Sequence, residues 1–253
     1  MQLIERTING YQILSIQEWL TSGLEHGFMN AQLDVSLESG RDWDKVYPAS
    51  KLKLLKQMHG THTILVSGNF ETDAISAPLT ADGWWIDLKS APQNVAWGIK
   101  TADCAPVIVY LKSFKIVYVL HCGWRGTVDN YLALVLKQAL ETYHCAAEDF
   151  EICVGPAAGK CCYEVGYEVV ELAEKNFLAL GGTLELLAQI LIKKEGEKYY
   201  FNNSGLLKAQ SLLLGVPEQN IYLIPACTIC DPAYFSFRRQ GDAAGRQVTF
   251  VKA

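Results

Sequence analysis

The chain has 253 residues, half of them apolar and 19% charged, a composition that supports a sizeable core and excludes a disordered chain. Its net charge of −5, with no Lys/Arg stripe, gives no electrostatic basis for nucleic-acid binding. No apolar run reaches the roughly 18 residues a membrane span needs, the first residues do not form a signal peptide, and the eight cysteines of a chain this long read as free thiols in a reducing cytoplasm.

Taken in chain order, residues 11–16 read as a strand and 16–24 as a short helix. Residues 38–45 are polar and loop-like, and 51–56 alternate partly. Residues 61–66 are rich in Thr, Ile and Val and read as a strand. Residues 67–80 look like a loop. Ala81-Asp82-Gly83 turns into a Trp-Trp-Ile strand, and 95–99 form another. Residues 107–111 and 116–120 are Val/Ile/Tyr runs joined by Lys112-Ser113-Phe114-Lys115, the pattern of a β-hairpin.

Beyond this hairpin the period changes. Val128, Tyr131, Leu132, Val135, Leu136, Ala139, Leu140 and Tyr143 recur at three and four, so they share one helix face, with Thr127 as the expected N-cap. Residues 151–154 read as a strand, 157–163 as a small-residue loop, and 168–179 as a helix stopped by Gly181-Gly182. A strand at 198–201, a helix at 204–214, a strand at 221–224, a long loop at 230–246 and a strand at 247–251 complete the chain. Strands and helices alternate without a strict βαβ rhythm and no linker or repeat is visible. The expected architecture is α+β, one domain over 1–253 with mixed β-sheets flanked by helices.

The hairpin carries the chemistry. Cys104 precedes its first strand and His121 ends its second, so antiparallel pairing brings the two side chains to one end of the sheet. A thiolate beside an imidazole is a pair of metal ligands or a nucleophile with its base. His59, in Gln57-Met58-His59-Gly60 before a strand, is the third member of a possible His2Cys set, the donor pattern of a catalytic zinc with an open position. His62, three residues on, points to the opposite strand face and is read as a non-ligand. His26 and His144 are expected at the surface. Asp103, beside the thiol, marks a polar turn.

Arg125 lies at the mouth of the expected helix, where an Arg fork and a helix start suit an anion. Arg238, Arg239 and Arg246 form a second cationic group on a loop with Phe237. Adjacent Cys161 and Cys162 seldom bond to each other. Cys227-Thr228-Ile229-Cys230 has metal or redox spacing, a weak signal alone.

Thr101-Ala102-Asp103-Cys104-Ala105-Pro106, His121-Cys122-Gly123-Trp124-Arg125-Gly126, Gly155-Pro156 through Cys161-Cys162-Tyr163-Glu164-Val165-Gly166, and Phe235-Ser236-Phe237-Arg238-Arg239 with Gly245-Arg246-Gln247 resemble the purine nucleoside phosphorylase family of the bacterial YfiH and mammalian laccase-domain proteins. Gln57-Met58-His59-Gly60 and Ala81-Asp82 fit the same family. The resemblance implies a zinc held by His59, Cys104 and His121. It implies phosphorolysis of adenosine, inosine, guanosine or methylthioadenosine to base and ribose 1-phosphate, with adenosine deamination attributed to the same site. Members were earlier named multicopper polyphenol oxidases, and some are linked to peptidoglycan quality control.

On this reading Cys104, His121, Asp103 and Arg125 are the catalytic candidates. Arg125, Glu164, Arg238 and Arg246 are the substrate and phosphate candidates. The partners are a small-molecule nucleoside and phosphate, with no nucleic acid and no membrane, for a monomer or small homo-oligomer. Five histidines in all are too few for a multicopper laccase, so Zn2+ is preferred to copper. The competing functions are a metal-free Cys104–His121 hydrolase or amidase and a binding protein with a non-catalytic zinc. The chain departs from the family near its start. Phe28 to Ser36 reads Phe-Met-Asn-Ala-Gln-Leu-Asp-Val-Ser, with Ala31 in place of an Arg and Leu33-Asp34 in place of two glycines.

Overall fold

The hairpin forms as its sequence demands. Ala105–Leu111 and Ile116–Cys122 pair antiparallel, with Ala105 opposite Cys122 and Pro106 opposite His121. All seven residues of each strand are buried. A strand covered on both faces needs a continuous apolar run rather than alternation, and that is what both segments carry. A computed structural model describes residues 1–36, 42–68, 70, 78–193 and 198–253 of the chain.

The hairpin is the centre of a six-stranded mixed sheet, ordered Ile221–Leu223, Phe150–Val154, Ala105–Leu111, Ile116–Cys122, Gly83–Asp87, Thr63–Val66. A second six-stranded mixed sheet runs Leu3–Ile8, Tyr11–Ile16, Glu25–Met29, Gln247–Lys252, Val95–Thr101, Lys51–Leu54. The two pack face to face through Trp97, Ile99 and Val251 on one side and Trp84, Ile108, Tyr110 and Val119 on the other. Trp84 and Trp97 meet edge-on at 5.0 Å between ring centroids, a favoured geometry for aromatic pairs.

The other face of the hairpin sheet is covered by helices Tyr131–Tyr143 and Asn203–Leu213, through Leu132, Leu136 and Leu207. Helices Tyr167–Ala179 and Leu184–Ile190 pack beside a small sheet of Glu164–Val165, Tyr199–Phe201 and Leu191–Lys193. The expected mixed-sheet α+β architecture is therefore present.

Several local expectations differ. The helix face beginning at Val128 is split. A short helix Trp124–Val128 ends before Asn130, which takes a left-handed φ of 59°, and the long helix starts at Tyr131. Thr127 lies inside the short helix and is no N-cap. Helix Trp43–Val46 lies in the expected loop at 38–45, and helix Phe237–Gln240 in the one at 230–246. Parts of the expected loops at 38–45 and 67–80 fall outside the described residues. Strands Leu3–Ile8 and Glu25–Met29 and helix Leu184–Ile190 were not expected.

His26, expected at the surface, is fully buried. Its Nε2 accepts the Ile16 backbone N–H, which leaves Nδ1 as the donor to the Leu24 carbonyl. Burial outweighs its other interactions and lowers its pKa to about 4, so it sits neutral in the core.

Trp97, fully buried between the sheets, packs against Trp84 of the facing sheet. Trp97→Ala should destabilise the protein by about 3–5 kcal/mol through lost burial and the cavity left behind. Urea denaturation measures this, and a loss below about 1 kcal/mol would mean that the two sheets do not depend on this contact.

Candidate active site

The site lies where the chain passes from one sheet to the other. Val95–Thr101 belongs to the outer sheet and Ala105–Leu111 to the hairpin sheet. Asp103, between them, takes φ 87°, a conformation disfavoured for residues with a side chain. Two bonds hold it there. Its Oδ1 accepts the Thr228 hydroxyl at 2.7 Å, and its Oδ2 accepts the Arg238 backbone N–H at 2.7 Å. The turn leaves Cys104 facing the end of the neighbouring strand, where His121 arrives.

His59, Cys104 and His121 offer donor atoms that all lie within 4.8 Å of one another. The sequence placed these three together correctly, but it passed over the residue that assembles them. Asp82, 1% exposed, accepts from His121 Nδ1 at 2.9 Å through Oδ1. The same carboxylate accepts the backbone N–H groups of His59 and Gly60 at 2.8 Å each and of Met58 at 3.2 Å. It thereby fixes the His59 loop, whose His59 has a left-handed φ of 62°, and orients the His121 ring. The signal that could have found it is an acid directly before a strand that pairs with the strand ending in His121.

Gly123 was also missed. A Cβ there would lie 2.9 Å from the His59 ring and 3.2 Å from Cys104 Sγ, so only glycine lets the backbone pass this close.

The electrostatics follow from this packing. Burial alone would raise the Cys104 thiol, but the charge and hydrogen bonds of His121 and His59 outweigh it and bring the pKa down to about 6. Burial opposes a charged His121, yet the Cys104 and Asp82 anions raise it to about 9. Asp82 itself is held below the usual carboxylate range, with hydrogen bonds from His121, Gly60 and His59 overcoming its burial. At neutral pH the metal-free site is a thiolate–imidazolium–carboxylate row. A soft thiolate and two imidazoles, open on one side, also fit a borderline-soft divalent metal, with His59, Cys104 and His121 as its three ligands.

The open side faces a cavity of about 540 Å³, within the range that holds small-molecule ligands. Lys56, Lys100, Arg125, Arg238 and Arg246 give its wall a cationic character, while Trp124, Tyr163 and Phe237 supply aromatic surface. Arg125 lies 4.3 Å over the Trp124 ring. Arg125 sits on the five-residue helix Trp124–Val128, one helix before the expected long one, which starts at Tyr131.

Arg238 lies 4.8 Å over the Tyr163 ring and donates to the Glu164 carbonyl at 2.7 Å. Arg246 donates to the carbonyls of Ala244 and Gly245. Glu164 lines an adjoining depression of about 200 Å³, and its carboxylate pairs with Lys198 at 2.6 Å. Arg239 turns away from the cavity, donating to the carbonyls of Thr228, Ile229 and Tyr234. His62 and His144 lie outside the His59–Cys104–His121 group.

The altered N-terminal segment supports the Arg246 loop. Leu33 and Val35 are buried. Asp34 Oδ1 accepts the Arg246 backbone N–H at 2.9 Å, and Val35 N–H donates to the Arg246 carbonyl at 2.9 Å.

Residues 40–253 match the family described as Multi-copper polyphenol oxidoreductase laccase. The chain is 28% identical over 211 residues to the purine nucleoside phosphorylase YlmD of Geobacillus stearothermophilus, covering 81% of this chain and 73% of that protein. It is 27% identical over 225 residues to the adenosine deaminase RL5 of an unknown prokaryotic organism, covering 88% and 80%. The crystal structure of YlmD from Geobacillus stearothermophilus matches the fold with a TM-score of 0.80 at 23% identity, over 99% of each chain.

Two measurements check this geometry. In metal-stripped protein, alkylation of Cys104, read by peptide mass spectrometry, should rise through a midpoint near pH 6 as the thiolate forms. His121→Ala removes the neighbouring cation and should move that midpoint toward the ordinary thiol value of about 8.5. An unmoved midpoint would show that His121 does not activate the thiol. Asp82→Asn should weaken metal affinity by about 10–100-fold, the usual cost of losing an outer partner of a ligating histidine; competition with a chromogenic chelator measures it.

Proposed function

This chain belongs to the multi-copper polyphenol oxidoreductase laccase family, and from that premise we propose that it is a zinc-dependent purine nucleoside phosphorylase that also deaminates adenosine. The observation that carries the reading is an open His59–Cys104–His121 donor set facing a cation-lined cavity with aromatic walls. The names of the two relatives fit it. The donor set favours zinc over copper chemistry. A multicopper oxidase needs many histidines, and of the five here His26 is sealed in the core.

Zinc bound to this set would act as a Lewis acid or lower the pKa of a bound water. His121, oriented by Asp82, holds its remaining ring nitrogen toward Cys104 and the cavity. Arg125, Arg238 and Arg246 hold phosphate beside the anomeric carbon of the nucleoside, where their fixed charges stabilise the negative charge of the transition state. Trp124 and Phe237 offer faces for the purine, and Phe237 is 47% exposed, which leaves its ring accessible to an arriving base.

Phosphorolysis forms the bond between a phosphate oxygen and the anomeric carbon and breaks the glycosidic bond, and the purine nitrogen leaves with the bond's electron pair and takes up the proton given up by the hydrogen phosphate. Asp103 acts as a positioning residue, since both of its oxygens accept from the protein. Glu164 holds Arg238 through its carbonyl. A reducing cytoplasm suits a site built on a free thiolate.

One observation favours a second reading. Cys104, His121 and Asp82 also form the nucleophile–base–orienter row of a metal-free hydrolase or amidase. Metal analysis separates the two readings. The first expects a zinc at the His59–Cys104–His121 site that Cys104→Ala removes; the second expects activity with no metal at that site, killed by Cys104 alkylation.

Zinc-loaded protein should release hypoxanthine from inosine only when phosphate is present, and ammonia from adenosine. Cys104→Ala should cost more than the roughly 10–100-fold typical of an outer-sphere loss. Absence of phosphorolysis with every purine nucleoside would sink the phosphorylase reading. Arg125→Ala should raise the KM for phosphate about tenfold or more, because a hydrogen bond to a charged group contributes about 1.5–3 kcal/mol; steady-state kinetics at varied phosphate measures it.

A further inference from the structure

Four cysteines that the proposed reaction does not use converge beside the cavity, next to its lining residue Tyr163. Cys161 and Cys162 lie on the loop after strand Phe150–Val154, and Cys227 and Cys230 on the loop after strand Ile221–Leu223. These two strands pair in parallel, so their following loops leave the sheet at the same end. A bridge between Ala157 and Cys227 continues the pairing, with Thr228 N–H donating to the Ala157 carbonyl at 3.0 Å. The adjacent pair and the Cys-x-x-Cys pair, each weak alone, thus become one cluster.

All four Sγ atoms lie within 4.8 Å of one another, and those of Cys161 and Cys230 are 3.5 Å apart. A disulfide requires about 2.05 Å, and all four thiols are free. A tetrahedral zinc with sulfurs at about 2.3 Å places those sulfurs about 3.8 Å apart, a spacing the cluster can close to, with Cys161 and Cys230 at 3.5 Å and all four sulfurs within 4.8 Å. A polynuclear iron–sulfur cluster would hold its thiolates farther apart. Gly159 N–H donates to Cys227 Sγ at 3.2 Å, the kind of outer bond that supports a metal-bound thiolate. A Cβ on Gly159 would meet Cys227 Cβ at 3.1 Å and Cys161 Sγ at 3.3 Å, so the glycine lets this amide reach the sulfur.

We propose that Cys161, Cys162, Cys227 and Cys230 bind a second zinc ion as a closed, four-thiolate structural site. The thiols give up their protons to solvent on binding. With all four positions filled by protein, this site has no place for substrate. Its work is to clamp two loops. Tyr163 follows Cys162 directly and lines the cavity. Thr228, between Cys227 and Cys230, is the donor that holds Asp103 beside Cys104. Arg239 ties down the same turn through the Thr228 and Ile229 carbonyls.

The test is zinc content by mass spectrometry on full-length protein purified with reductant. The proposal expects about one more zinc per chain than the His59 site supplies. Cys104→Ala should retain about one zinc, and Cys227→Ser/Cys230→Ser should lose that one. If the His59 site held no zinc, wild type and Cys104→Ala would both carry about one, so failure of the first site is distinguishable from failure of this one. A Cys104→Ala protein without zinc would overturn the proposal. So would a double variant with unchanged zinc, or a disulfide among these four cysteines in protein alkylated before reduction.

Because the double variant could fail to fold, cobalt exchange into Cys104→Ala gives an independent readout. The intense thiolate-to-metal charge-transfer and tetrahedral bands of a four-sulfur site are expected, and their absence would overturn the proposal.

Discussion

One buried carboxylate organises the active site. Asp82 takes three backbone N–H groups from the Met58–Gly60 turn and the Nδ1 proton of His121. A buried anion is tolerated only when its lone pairs are met, and here the donors that meet it are the parts that must be brought together. Without Asp82, the left-handed His59 turn would lose the acceptor of its three N–H groups and His121 the partner that fixes its ring orientation. The site is thus assembled by satisfying one charge, with Gly123 leaving the space in which the ligands converge.

The same economy governs the cavity wall. Two of its cations, Arg238 and Arg246, are held by groups from distant parts of the chain. Arg238 is held through Asp103 and Glu164. The Arg246 loop is held by Asp34 and Val35 of the segment that departs from the family pattern. Leu33 and Val35 enter the core, so this segment is a supporting strap of the pocket. Lys56, Lys100, Arg125, Arg238 and Arg246 line the cavity.

How much of this could be read from the sequence depends on the range of the interactions. The hairpin was legible because two β-branched runs with a short link have few other solutions, and its register then placed Cys104 beside His121. The helix start at Tyr131 was hidden because the apolar period runs unbroken across Asn130, whose left-handed φ breaks the helix without breaking the pattern. His26 was misjudged because its partners, the Ile16 N–H and the Leu24 carbonyl, are backbone groups with no sequence signature. Asp82 looked like an ordinary turn residue because its donors, three backbone N–H groups and a histidine 39 residues away, are not signalled locally. The meeting of Cys161-Cys162 with Cys227 and Cys230 rests on the parallel pairing of two distant strands, which no local pattern encodes.

Asp103 links the two sulfur sites. Its φ of 87° costs backbone energy, and such a conformation persists only where the surroundings over-determine it. The surroundings here are Thr228, flanked by Cys227 and Cys230, and the Arg238 N–H, which between them occupy both carboxylate oxygens. The turn they hold is the one that aims Cys104 at His121. An open donor set is free to do chemistry only if its ligands are held by something other than a fourth protein ligand. Asp82 does this for the two histidines. For the thiolate, the corresponding support is the strained Asp103 turn, anchored through Thr228 to the loop that carries the cysteine cluster.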